Sequence, residues 1–256
     1  MNIKTIYTPN ELVTQRTMLT IVAGWLVLWL GYWSLFKPEV FPSPLDVIAA
    51  FPTLWFESGL GQELISSFTV NVEALVLSTV LSLPLAYLSR TPIVRPLALG
   101  LSKLRFLSPA LFFMLLVFLT SSGHAVKVWM LALGEAFFLV TTMMNVVLEI
   151  PSYQFDDART LRMNEWQVTW YVVVRGTVAQ AIDATRDNAA MGWSMLMMVE
   201  GIVRSEGGVG VMIMNQQHVM NLSQVYAIAT SVIIVGLGQD YALGWVTQMA
   251  CPWIKR

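Results

Sequence analysis

The sequence predicts an all-α, polytopic membrane protein with about six transmembrane helices and one cytoplasmic helix-turn-helix. Three observations carry this. Of 256 residues, 56% are hydrophobic and 12% charged, about half the charged fraction of a soluble domain, and mean hydropathy is +0.63. The stretch 18–36 holds no charge and, at roughly 1.5 Å per residue, is long enough to cross a hydrocarbon layer of about 30 Å. Charge gathers instead in 156–186, a mixed-charge segment that is too costly to place in lipid and must lie in water on one side of the membrane.

Taken in order, residues 1–17 read as a cytoplasmic tail. Lys4, Glu11 and Arg16 are spread over a polar lead-in, and no small-x-small cleavage pattern follows the first apolar run. Residues 18–256 form a single transmembrane domain. The first span ends near Tyr32 and Trp33, which suit an interfacial belt. In the connector, Pro42 and Pro44 hold an extended backbone, and a helix over 47–56, with Asp46 near its start, is too short to span. The second span, 64–88, carries Asn71, Glu73 and a kinking Pro84. The third, 106–120, is short and opens with Ser108-Pro109. The fourth, 126–147, holds Glu135. The fifth, 188–203, ends beside Glu200. A loop with Gly207-Gly208-Val209-Gly210 follows, and the sixth span, 225–249, has Gly236, Gly238 and Gly244 for close packing.

Basic residues set the orientation. With six spans and a cytoplasmic N-terminus, only Lys37, Lys127 and Arg204 of the 15 Lys and Arg residues face outward. This is the positive-inside bias, and it puts the polar segment 150–187 in the cytoplasm with both termini.

Within that segment, 154–163 is compatible with a helix whose acids come first and whose Arg159 and Arg162 come later, matching the helix dipole. Asp156 and Arg159 form an i,i+3 pair. Asn164 is placed to cap a second helix from Glu165, with Gln167 as its capping-box partner. On that helix Trp166, Trp170 and Val173/Val174 share a face. Periodicity alone reads first as an amphipathic linker lying on the membrane surface.

Other functions find little support. A net charge of −1 leaves no nucleic-acid footprint. Cys251 is alone, so no intrachain disulfide is possible, and His124 and His218 are far apart, which disfavours a metal site. No paired carboxylates or Ser/His/Asp set is placed for catalysis, and no phosphate-binding G-x-x-x-x-G-K-[ST] pattern occurs. Glu135, Asn71, Glu73 and Glu200 are costly in lipid and must face protein or water, either along a translocation path or in satisfied interhelical hydrogen bonds.

Several stretches together resemble the permease subunits of type I ABC importers of the nitrate/sulfonate/taurine/bicarbonate type. Those subunits carry a cytoplasmic E-A-A-x-x-x-G loop, and Asp156-Asp157-Ala158-Arg159-Thr160-Leu161-Arg162-Met163-Asn164 matches its register, with Trp166 after it. Phe41-Pro42-Ser43-Pro44-Leu45-Asp46-Val47 is similar to L-P-S-P-x-E-V. Ser121-Ser122-Gly123 through Lys127 is similar to I-G-x-x-x-K. Trp193 and Glu200 have the W-to-E spacing, and Gly208-Val209-Gly210 with Gln216-Gln217 is similar to G-L-G-Y and its following Gln pair. The likeness covers about 37–250. It implies that 156–164 docks on cytoplasmic ABC ATPase subunits, which bind ATP and Mg, while this chain has no cofactor of its own. It also implies a second permease subunit in a homo- or heterodimer, an extracytoplasmic solute-binding protein, surrounding membrane lipid and the bacterial cytoplasmic membrane. Arg162 stands where the pattern has Gly, and Arg175 where it has Pro; Asn164 is expected to absorb the turn instead. Glu135 stands where a small residue is expected. Asp157, Arg162 and Arg175 favour the alternative, a scaffold or sensor subunit that docks a partner without transport.

Overall fold

The computed structural model describes residues 14–35 and 41–251, and among them all regular structure is helical. Lys37, Lys255, Arg256 and residues 1–13 of the expected tail lie outside the described residues.

Helix α1 (Gln15–Leu35) is apolar on every side and almost wholly exposed, as a span facing lipid must be. Trp33 stacks near Tyr226, with ring centroids 6.1 Å apart, and holds one end of α1 to the bundle. Helix α2 (Pro44–Phe56) starts three residues before the expected 47. Ser43 is the extended residue, and Pro44 fits the first helical position, where no N–H is needed. The cap is reciprocal: Ser43 Oγ accepts from the Asp46 N–H, and Asp46 Oδ2 accepts from the Ser43 N–H. Val47 and Leu54 bury against Leu60, Val209 and Ile228.

Helices α3 (Leu60–Leu88) and α6 (Gly123–Leu148) lie side by side and form the core. Their contacts advance together along both chains, from Glu73–His124 through Ser78–Glu135 to Arg90–Val147, so the two run parallel. Between them the expected span 106–120 is not one helix. Helix α4 (Arg95–Lys103) continues to Phe106, and after a break a second piece, Pro109–Phe112 leading into α5 (Phe113–Leu119), leaves at 106°. Ser108-Pro109 causes the break: the residue before a proline is pushed to extended backbone, and Ser108 has ψ 136.

The polar segment forms α7 (Ser152–Thr160) and α8 (Glu165–Val168). It is followed by α9 (Val178–Ile202), α10 (Val209–His218) and α11 (Leu222–Ala250). The fifth span therefore begins ten residues earlier than expected, because nothing in 178–188 breaks a helix. Among the described residues four helices, α1, α3, α6 and α11, are long and apolar enough to cross a membrane, and the bent pair, counted as one broken span, would be a fifth. Helix α9 is too polar to join them by composition, yet its 25 residues reach about 37 Å and pack on α6, α3 and α11.

Candidate functional site

The polar segment is a built turn. Helix α7 ends because Arg162 takes φ 60. The Met163 N–H then reaches the Ala158 carbonyl at 3.4 Å, and the Arg162 N–H reaches the Arg159 carbonyl at 2.9 Å, the paired bonds of a Schellman stop. This corrects one expectation: the left-handed residue is Arg162 itself, at the position of the pattern's glycine. Asn164 is extended, with φ −74 and ψ 162, and it caps α8. Its Oδ1 accepts from the Gln167 N–H at 2.8 Å, and Gln167 Oε1 accepts from its N–H at 2.9 Å, the expected capping box.

Arg159 braces the turn. Its Nε and Nη2 donate to the two oxygens of Glu165 at 3.0 and 3.3 Å, and Nη1 donates to Asp156 at 3.2 Å. Hydrogen bonds and charge from Arg159 hold the Glu165 carboxyl below its ordinary range, and Glu165 in turn raises the guanidinium. Ala158, Val168 and Val173 are buried, while Tyr153, Leu161, Trp166 and Trp170 are exposed. Trp166 and Trp170 share a face as expected, but Val173 is on the buried side. The chain widens to a π-type turn over Thr169–Val174, in which Val173 is buried. Asp156, Asp157 and Thr160 are exposed, and the Thr160 hydroxyl donates to the Asp157 carbonyl. Residues 178–187, expected in the loop, are the first turns of α9. There the Arg186 guanidinium binds the Asp240 carboxylate of α11, and Gly244 leaves the guanidinium room.

At the far end of α9 a second cluster fastens the glycine-rich loop. Glu200 is fully buried; it accepts from Ser67 Oγ at 2.6 Å and from the Gly210 N–H at 2.7 Å. The Gly208 N–H donates to Glu63, the Val209 N–H to Ser67 Oγ at 2.9 Å, and Lys127 Nζ to the Gly207 carbonyl at 2.6 Å. Gly207 and Gly208 have φ 68 and 110, and a side chain on Gly208 would overlap the Glu200 carboxyl.

A third cluster lies between α3, α6, α9 and α11. Trp193 Nε1 donates to Gln239 Oε1 at 2.8 Å, Gln239 Nε2 to Asn71 Oδ1 at 3.0 Å, and Ser78 Oγ to Glu135 Oε2 at 2.9 Å. Asn71 and Glu135 are wholly enclosed. Of the four residues expected along a path, Glu73 alone stands at the surface, 2.8 Å from His124. Sequence reasoning passed over Gln239, Ser67, Ser78 and Glu63. Their signal is small, a single hydroxyl, amide or carboxylate near or within an apolar run. Among the described residues no group of His, Cys, Asp or Glu is gathered for a metal.

No family model matches the chain. A curated relative, the taurine transport system permease protein TauC of Escherichia coli K12, is 22% identical over 247 residues, covering 91% of this chain and 90% of its own length. A solved structure of the methionine ABC transporter MetNI in inward-facing form matches with a TM-score of 0.63 at 16% identity, over 77% of this chain and 97% of the matched one. The relative supports the resemblance to an ABC importer permease subunit, and the solved structure shows the shared fold.

Proposed function

We propose that this chain is the membrane-spanning permease subunit of an ATP-driven importer, with α7 and α8 seated on a cytoplasmic ATPase subunit. That partner binds ATP and Mg. A second permease subunit completes the path, and a solute-binding protein delivers solute at the opposite end, beside Gly207–Gly210. The observation that carries the reading is the turn at Arg162. The register that matches the E-A-A-x-x-x-G loop places Arg162 at its glycine, and Arg162 holds the left-handed backbone a glycine would supply. The turn presents Leu161, Tyr153 and Trp166 outward, as a docking surface requires. The basic-residue bias supports placing this surface in the cytoplasm, in a bacterial cytoplasmic membrane. We assign Glu73 to the solute path. Asn71, Glu135 and Glu200 serve it indirectly, by holding together the helices that line it.

The test is Leu161→Asp, in a side chain that is 71% exposed and so is not needed for folding. Co-purification of ATPase subunits and solute uptake should both fall at least tenfold while the thermal stability of the permease stays unchanged. Full co-purification and uptake in this variant would overturn the docking assignment. ATPase binding by the natural chain with no uptake of any solute would favour the scaffold reading.

A further inference from the structure

The third cluster has a direction. An indole N–H only donates, so Trp193 makes Gln239 Oε1 the acceptor, which turns Gln239 Nε2 toward Asn71 Oδ1. Asn71 is thereby forced to present its Nδ2 donors at the other end of the chain. That nitrogen, with 0% exposure, has no protein partner, and neither has Glu135 Oε1, also with 0% exposure. Both atoms converge on Gly192 of α9. A side-chain carbon there would stand 2.3 Å from Glu135 Oε1 and 2.8 Å from Asn71 Nδ2. Buried polar groups left unpaired cost about 1–3 kcal/mol each, so a donor and an acceptor facing one glycine notch call for a group that can serve both.

We propose that Asn71, Glu135 and Gly192 form a binding site for a single water molecule that accepts from Asn71 Nδ2 and donates to Glu135 Oε1. A molecule of one heavy atom that both accepts and donates meets the two groups. The Ser78 hydroxyl holds the other carboxyl oxygen, Glu135 Oε2, at 2.9 Å, which leaves Oε1 to face the notch. Asn188, one turn before Gly192 and on the same face of α9, carries the remaining unpaired buried nitrogen among the described residues. The seam between α9 and the α3–α6 pair is thus a hydrated joint, in the helix that links the polar turn to the glycine-rich loop.

The experiment is infrared difference spectroscopy of the full chain in lipid bilayers, in ordinary and in heavy-oxygen water. The natural protein should show a strongly hydrogen-bonded water O–H band that shifts in heavy-oxygen water, and Gly192→Ala and Glu135→Gln should each abolish it. An isotope-sensitive spectrum identical in all three proteins would overturn the proposal. If Gly192→Ala does not fold, Glu135→Gln, which keeps the side-chain shape, decides alone.

Discussion

Glu200 and Gly210 are ten residues apart in sequence, and the carboxylate of one, with no exposure to solvent, takes the backbone N–H of the other at 2.7 Å. This bond stops the start of α10 from drifting away from the end of α9. Truncation by Glu200→Ala leaves the Ser67 hydroxyl and the Gly210 N–H unpaired, at about 1–3 kcal/mol each. Thermal unfolding in detergent should fall accordingly, with Glu200→Gln milder because one acceptor is kept. Gly208→Ala should be at least as damaging as Glu200→Ala, since it adds about 1–3 kcal/mol of backbone strain at φ 110 to a collision with the same carboxyl.

Arg162 holds a left-handed conformation that costs an L-residue about 1–2 kcal/mol. Arg162→Gly should raise hydrogen-exchange protection over 158–165 by up to about 1 kcal/mol, less the added freedom of glycine in the unfolded chain. Arg162→Val should lower protection, because a branched β-carbon fits φ 60 worst.

The Arg159–Glu165 pair gives the turn a pH dependence of known sign. The folded Glu165 carboxyl is held below its ordinary value by Arg159. Its contribution is therefore fully present above that ordinary value and is lost as pH falls through the depressed one. Limited proteolysis of the turn should be constant from neutral pH down to the ordinary carboxylate range and accelerate below it. Glu165→Gln should show the faster cleavage at every pH, with no acid transition from this group.

Arg186 and Asp240 join the first turns of α9 to α11 by a two-pronged guanidinium–carboxylate contact. Arg186→Asp sets an acid among Asp183, Asp187 and Asp240 and should lower the yield of folded protein several-fold. The exchange Arg186→Asp with Asp240→Arg should recover most of it. Failure of the exchange to recover yield would mean that the contact is incidental to assembly.

Much of this molecule was legible because its signals are local. A capping box needs only Asn164 and Gln167 three residues apart, and the structure has it. A span needs only a long, mostly apolar run, and 18–36, 64–88, 126–147 and 225–249 each lie on one of the four long apolar helices, α1 (Gln15–Leu35) ending at the last described residue before 36. The errors arose where a local signal was read too strongly. The charges of 178–187 suggest a loop, but charge does not end a helix, and these residues are the first turns of α9. The run 106–120 was read as one span, although Ser108-Pro109 sits within it and bends the path by 106°. Propensity points to Asn164 for the left-handed turn, whereas the Schellman bonds of α7 place it at Arg162.

By itself the sequence determined the helical class, the four long apolar helices, the charged turn between them and the cap that starts α8, because each depends on residues within a few positions of one another. Tertiary structure alone decided which polar groups meet. Ser67 and Glu200 are 133 residues apart, and Asn71 and Gln239 are 168 apart. In a run of apolar residues nothing marks which side of a helix will be enclosed, and helix packing chooses it. That choice enclosed Asn71, Glu135 and Glu200 within the bundle and left Glu73 beside His124 at the surface.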